Sequence, residues 1–422
     1  IDRIRGIEAM RISSAQFFQL NVSQMNDQQA QLAQLYQQIS SGVSLQTAAD
    51  NPAGAAQAVQ LSMTSATLSQ YATNQNAALA SLQAEDQTLQ NVSTVLTNTQ
   101  SLLVRAGDGS MSDSDRSALA TQLQGYRDQL MTLANTNDGA GNYLFAGTKN
   151  SAAPFSTTSS GSVNYVGDTG TRQVQIADSS TVSQGDSGAA VFMSVQAIGS
   201  SPVPSALAGN TGTGTIGAVT VTNPAIATNG HQFSITFGGT AAAPTYTVTD
   251  NSVTPPTTTP AQAYSSGAAI SLGGGMTVAV SGTPSAGDKF AVEPAPQASG
   301  GSDVFSTLDA MIAALKTPVT GNPVAVAGLK NALMTGSTKL GNTMRNVTTI
   351  QASVGGREQE VKAMQTVNQT ASLQVTSNLS DLTSTNMVTT ISQFLQMQNA
   401  LTGSQKAYAQ LQNLSLFQYI NP

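Results

Sequence analysis

Apolar residues recur at alternating steps of three and four along both ends of this chain, a spacing that predicts long amphipathic helices. Near the start, Phe18, Val22, Met25, Gln29, Leu32, Tyr36, Ile39 and Val43 form a heptad seam with one polar member. The stretch "SSGVSLQTAADNPAG" breaks it. Gly42 loosens the helix, and Asp50 or Asn51 ahead of Pro52 offers an N-cap with proline just inside the next helix. That second helix is expected from Ala55 to Val104. Leu61, Leu68, Leu82, Leu89, Leu96 and Leu103 share one register, with Tyr71, Ala78 and Val92 at intervening positions. About 50 residues at ~1.5 Å each would run about 75 Å, wider than a compact domain, so long partners are required. "RAGDGSMSDSD" ends it, and Leu119, Leu123, Tyr126, Leu130 and Leu133 form a shorter third stripe.

The period changes at "NTNDGAGNYLFAGTKNSAAPF". From there to about Pro296 the runs are short and alternating: "SVNYVG", "RQVQIA", "HQFSITFGG", "TYTVTD" and "MTVAVSG" read as strands, and "TPPTTTP" as a surface loop. Helix returns at "SDVFSTLDAMIAALK", where Phe305, Leu308, Ile312 and Leu315 make a stripe that Ser302 or Asp303 caps. Helical pattern then continues from about Val324 to Phe417. Val347, Ile350, Val354, Val361, Met364, Ala371, Val375 and Leu382 share a register, and Phe394, Met397, Leu401, Tyr408 and Leu411 begin a fresh seam. The fold class expected is α+β: a long antiparallel helical rod of N- and C-terminal helices, with a β-rich domain inserted mid-chain and protruding from it. The expected divisions are residues 1–9, sequence added ahead of a native start at Met10; 10–49 with 366–422, a terminal helical assembly domain; 50–195 with 302–365, a helical rod with a small β-hairpin; and 196–301, a β-rich outer domain.

Composition sharpens this picture. Charged residues are 9% of the 422 positions, where roughly a quarter is usual. From Ile12 to Ala49 the only charge is Asp27; from Ala363 onward there are only Asp381 and Lys406. Burying an ionised side chain costs several kcal/mol unless it is paired, whereas an amide or hydroxyl needs only one or two hydrogen bonds. Helices dressed in Gln, Asn, Ser and Thr can therefore be covered on all sides. They are expected to end inside an assembly of many copies. The bland alternative, a free coiled coil with a neutral outer face, stays open on pattern alone. The net charge of -6 argues against a nucleic-acid partner. No apolar run reaches the roughly 18 residues of a membrane span, and no cleaved secretory signal is visible. Cysteine is absent, which removes disulfides, thiolate metal sites and cysteine nucleophiles.

Candidate chemistry is sparse. His231 in "NGHQFSITFGG" has no second His or Cys for a metal site. "LGGGM" has glycines but no following Lys-Ser/Thr, so it reads as a turn and not a phosphate cradle. "GDTGTR" around Asp168 reads as a hairpin turn. Asp108, Asp113 and Asp115 lack calcium-loop spacing and read as helix-capping residues. "QGDSGAA" resembles the nucleophile stretch of trypsin-like proteases without a competent His base. No catalytic residue, metal or cofactor is expected.

The quoted terminal stretches resemble the flagellin superfamily, bacterial filament flagellin and the hook-associated proteins. "SSGVSLQTAADNPAGAAQA" is similar to that superfamily's first interhelical turn. "GNYLFAGTKNSAAPF", "NYVGDTGTRQVQIADSSTV", "VFSTLDAMIAALK", "ASVGGREQE" and "ISQFLQMQNALTGSQKAYAQLQNLSLFQYI" resemble the hook-associated protein 3 family, the hook–filament junction proteins, over nearly all of Met10 to Ile420. Gln418 departs from the family, which more often has an acidic residue there. The resemblance implies a non-enzymatic structural adaptor, exported unfolded without a cleaved signal through the flagellar type III apparatus. Its implied partners are hook-associated protein 1, flagellin, copies of itself in a ring and a cytoplasmic export chaperone. The assembly contacts expected are Phe18, Val22, Met25, Leu32, Tyr36 and Ile39, with Phe394, Met397, Leu401, Tyr408 and Leu411; each serves an intramolecular core equally well. A divergent filament flagellin, and a glycan-binding adhesin using Tyr246 and Tyr264, are the alternative readings.

Overall fold

In a computed structural model the backbone is described for residues 2–139, 141–159 and 161–420, and side-chain surroundings for residues 16–410 apart from 140 and 160. The fold is α+β, with long helices at both ends and a β-rich region between them. Among the described residues six α-helices are present: α1 (Asp2–Ser41), α2 (Pro52–Ala106), α3 (Asp113–Ala134), α4 (Val304–Lys316), α5 (Pro323–Thr383) and α6 (Met387–Ile420). The chain divides into two compact units, Ile1–Ala72 with Thr366–Pro422, and Thr73–Gln365.

The larger unit holds nearly all of the described core. Its helices pack heptad faces together: Leu82, Leu89 and Leu96 from α2, Leu123 and Leu130 from α3, Phe305 and Leu308 from α4, and Val347, Val354 and Val361 from α5 are buried in one cluster. Phe145, Phe155, Phe192 and Phe305 close one part of it, with ring centroids 5.3–6.2 Å apart in tilted or edge-on pairs. Asp303 caps α4 by accepting the Ser306 N–H at 2.7 Å. Ser112, and not an aspartate, caps α3. Its side chain accepts from the Asp115 N–H while the Asp115 carboxylate accepts the Ser112 N–H, a reciprocal capping box. Buried Arg127 on α3 forks onto the partly exposed Asp309 of α4 at 2.7 and 3.2 Å, a two-point pair that pins the helices.

The strands read from the sequence are all present, from Val163–Tyr165 to Met276–Ser281. Two hairpins, Phe155–Thr157 with Val163–Tyr165 and Gln173–Ala177 with Ser180–Ser183, lie against the helices. "GDTGTR" joins these two hairpins and is not itself a hairpin turn. Asp168 closes it by accepting from the backbone N–H groups of Thr148 and Gly170 at 2.8 and 3.0 Å. The remaining strands form two antiparallel sheets over one core. The first has Phe233–Thr240 at its centre, between Ala243–Asp250 and Lys289–Glu293; the second has Met276–Ser281 paired with Ala269–Leu272. Phe233, Ile235 and Phe237 face Ile270, Leu272, Met276, Val278 and Val280 across it, each strand burying alternate residues.

A ladder of polar side chains on α5 grips this region by its backbone. Asn331 donates to the Gly214 carbonyl (3.0 Å) and accepts the Ile216 N–H (2.8 Å); Thr335 donates to Pro204 (2.7 Å). Lys339 donates to the Ser299 and Gly301 carbonyls, Asn342 brackets Ser201 with two 2.8 Å bonds, and Asn346 donates to Ala190. The steps of four, four, three and four put all five on one helical face, where each buried polar group finds a partner.

The smaller unit contrasts with this. α1 and α6 run antiparallel, so that Phe18 meets Tyr408 edge-on at 6.0 Å and Tyr36 meets Phe394 at 6.5 Å. Leu401 is the only apolar side chain of this unit that is buried among the described residues. The α2 register continues here as Leu61, Leu68 and Tyr71, all only half-buried, as do Ala371, Val375 and Leu382 of α5. One sequence pattern therefore gives a sealed core in one unit and an open face in the other.

We expect Leu89→Ala to lower the stability of the larger unit by about 2–5 kcal/mol through transfer and cavity terms. Leu373→Ala, on an exposed face of the smaller unit, should stay within about 0.5 kcal/mol. Chemical denaturation of the two variants checks this; equal losses would contradict the division of the core.

Candidate assembly surface

The expected contact residues all lie on α1 and α6 within the smaller unit. The structure divides them into two sets. Phe18, Met25, Leu32 and Ile39 are half-buried between the two helices, and Phe394, Met397, Leu401 and Tyr408 meet them from α6. Val22 is exposed, and Tyr36 borders this seam, its ring meeting Phe394 while 64% of its surface stays exposed. Among the described residues the half-buried positions of α1 are Phe18, Asn21, Met25, Gln28, Leu32, Leu35, Gln38 and Ile39, so polar Asn21, Gln28 and Gln38 take places that the spacing left outside the seam. Ser404 Oγ donates to Gln28 Oε1 at 3.2 Å, satisfying one such polar member. The side chain of Leu411 lies outside the described residues.

Beyond the seam, these helices carry apolar side chains with no covering partner in the monomer. On α1 they are Phe17 and Leu20; on α6 they are Val388, Ile391 and Leu395 at helical steps of three and four, and Val388 is 82% exposed. Beside them runs a groove of about 510 Å³ between α1 and α6, bordered by the amides of Gln31, Gln34, Gln38, Gln393 and Gln396. Amides both donate and accept, so such a border accepts another amide-bearing helix without a desolvated charge.

The turn between α1 and α2 and the break between α5 and α6 meet in the same unit. Val43 and Ser384 form an antiparallel bridge; the Ser44 N–H donates to Thr383 (2.7 Å) and the Thr385 N–H to Gly42 (2.9 Å). Gly42 adopts φ +71°, a left-handed conformation that glycine takes at little cost and that stops α1. The continuous helix expected from Val324 to Phe417 is thus two helices. Asn386 caps the second by accepting the Thr389 N–H at 3.2 Å.

The remaining candidate chemistry resolves into structure. His231 Nδ1 lies 2.7 Å from the Asp250 carboxylate, with its ring stacked on Phe233. Burial pushes that carboxyl up, but bonds from His231 and the Ser252 N–H outweigh it and hold it below its usual range. Asp113 accepts the Val319 and Thr320 N–H groups and pairs with Arg116, so it ties the start of α3 to the loop before α5. In "LGGGM", Gly273 and Gly274 take positive φ in a tight hairpin turn. In "QGDSGAA", Gly188 is pressed against Phe155 and Ser187 is buried. Tyr264 is buried with its hydroxyl on the Val280 and Gly282 carbonyls, so it offers no stacking platform. No group of three or more His, Asp or Glu side chains capable of holding a metal occurs among the described residues, and no described helix is long and apolar enough to cross a membrane.

Residues 12–150 match the bacterial flagellin N-terminal helical region. The flagellar hook-associated protein 3 of Salmonella typhimurium is 29% identical over 410 residues, covering 97% of this chain and 99% of that protein. Among solved structures, FlgL of Xanthomonas campestris is 30% identical with a TM-score of 0.65, covering 75% of this chain and 98% of that one. The flagellar junction protein FlgL of Legionella pneumophila is 26% identical with a TM-score of 0.64, covering 78% and 100%.

With little buried apolar surface to resist opening, amides of α1 and α6 in the free protein should exchange at least about a hundredfold faster than those of α2 between residues 78 and 103. Hydrogen exchange read by mass spectrometry tests this, and equal protection in both segments would refute it.

Proposed function

The chain belongs to the flagellar hook-associated protein 3 family of the flagellin superfamily, and from that premise we infer that it is a structural adaptor joining the flagellar hook to the filament. It is a flagellar structural protein, and its work is mechanical rather than catalytic. The observation that carries the reading is the burial deficit of the smaller unit: one buried apolar residue among the described ones, against a sealed core in the larger unit. Helical stretches that expose Leu20, Val388 and Leu395 yet carry almost no charge, residues 12–41 of α1 and all of α6, lose little when neighbouring copies cover them, and they gain the burial of each apolar side chain.

In this reading residues 10–49 and 366–422 form the assembly domain, 50–195 and 302–365 the supporting helices, and 196–301 the outer domain. Copies of the chain form a ring, contacting hook-associated protein 1 on one side and the first flagellin subunits on the other. Phe18, Val22, Met25, Leu32, Tyr36, Ile39, Phe394, Met397, Leu401, Tyr408 and Leu411 contribute either to the pair of helices or to contacts with the next copy. Export proceeds unfolded and without a cleaved signal, with a cytoplasmic chaperone on the C-terminal helix. The near absence of charge on the terminal helices and the lack of cysteine are compatible with such a route.

A strain lacking the gene should keep hooks while shedding flagellin into the medium. Restoring it with Ile391→Glu, at an exposed α6 position, should leave the protein folded and exported but filament attachment reduced at least about tenfold, as an unpaired charge enters a covered face. Normal filaments on the deletion strain would overturn the adaptor role; normal attachment by the variant would overturn the surface.

A further inference from the structure

Glu85 lies on α2 inside the larger unit, with 1% of its surface exposed. Its Oε1 accepts the Asp186 backbone N–H at 3.0 Å, while Oε2 has no hydrogen-bond partner. Gly185 faces Oε2 so closely that a Cβ there would sit 3.4 Å away, and glycine has no side chain to serve it. The Asp186 carboxylate is itself paired with the Arg357 guanidinium of α5, whose other amino group reaches the Ser183 carbonyl at 3.4 Å.

These are the charged groups that face Glu85: Asp186 from the loop and Arg357 from α5. Neighbouring acids are engaged elsewhere. Asp86 accepts from Gln90, Glu358 pairs with Lys362, and Glu360 accepts from Ser180. The one guanidinium nearby is thus paired with the half-buried Asp186, and the fully buried Glu85, with its orphaned oxygen, is the carboxyl that keeps its proton. The hairpin leading into this loop is tied to α2 by hydrogen bonds to its backbone, Asn74 donating to Gln175 (2.8 Å), Gln75 to Ile176 (2.7 Å) and Ser81 to Gln184 (2.8 Å), and its Ile176 and Val182 side chains are buried in the helical core.

We propose that Glu85 is a proton-operated clasp: neutral, it holds residues 184–188 and the hairpin Gln173–Ser183 against α2 and α5, and ionised, it releases them. Ionisation would place a buried carboxylate beside that of Asp186 with no cation of its own. Opening the loop lets water reach Oε2, which relieves that charge at the expense of the Asp186 N–H bond. Burial, then the Asp186 charge, push the Glu85 carboxyl up from 4.5 to about 8. A folded-state value raised above the unfolded one means the contribution to stability is fully present below about pH 4.5 and is lost as pH rises through about 8. The clasp does not depend on the assembly reading, since every group in it belongs to one face of the larger unit.

The test is hydrogen exchange on the full chain and on Glu85→Gln, from about pH 6 to about pH 9.5, with the intrinsic pH dependence of exchange divided out. In the wild-type protein, protection of residues 173–188 should fall about tenfold per pH unit above the Glu85 transition, as one proton is linked to opening. In Glu85→Gln it should stay flat, and residues 89–103 should be unchanged in both. Equal loss in both proteins, or none in the wild type, would overturn the clasp. Carbon-13 NMR of the glutamate carboxyls in the wild-type protein supplies a check independent of the variant: a Glu85 signal that moves near pH 8 supports the proposal, and one that moves near pH 4.5 sinks it.

Discussion

Everything in this molecule turns on where apolar surface can be buried. The same heptad logic runs through α2 and α5 from end to end, yet Leu82, Leu89, Val354 and Val361 are sealed while Leu61, Leu68, Val375 and Leu382 are only half covered. Nothing in the residue types changes along the way. What changes is the number of neighbours: α3, α4 and the hairpins surround one stretch and are missing from the other. Among the described residues nothing finishes the second core, and in the proposed reading copies of the same chain supply what is missing. The scarcity of charge from Ile12 to Ala49 and along α6 follows from the same constraint. A helix due to be covered on several sides does best with groups whose desolvation one hydrogen bond can offset.

The larger unit solves the opposite problem, since it must hold a β-rich insertion in a fixed place. It does so with polar contacts aimed at backbone. Asn331, Thr335, Lys339, Asn342 and Asn346 bind carbonyls and N–H groups, not side chains, so the grip specifies the path of the insertion and leaves its surface free to vary. Glu85 belongs to the same style of fastening, with the difference that its hydrogen bond to Asp186 carries a titratable group.

Much of this could be read from the sequence, and the gaps have physical causes. Strong periodicity exposed α2, α3 and α4 and the central strands, because burial on one face writes a repeat into the chain. The α1 seam was displaced on one flank. Apolar Val22 is exposed and Tyr36 stays largely exposed at the edge beside Phe394, while Asn21 and Gln28 are half-buried, because a helix with two apolar stripes gives two equally good heptads. The break before α6 was hidden since the apolar spacing carries on through it; Asn386, a good capping residue, was the available sign. Ser112 outcompeted the aspartates around it for the cap, leaving Asp113 free to fasten Val319 and Thr320. The α5 ladder was invisible as a ladder, since Asn and Thr on a helix read as solvent-facing until the backbone they bind is seen.

The central claim is that faces open in the free chain are closed by sister copies in the flagellum. Because the chain has no cysteine, Leu395→Cys gives a single thiol on the exposed α6 stripe. Its rate of alkylation should be that of a solvent-exposed thiol in the free protein and should fall by at least about tenfold in intact flagella isolated from cells, as burial limits access. Equal rates in the two states, with the variant still supporting attached filaments, would contradict the account.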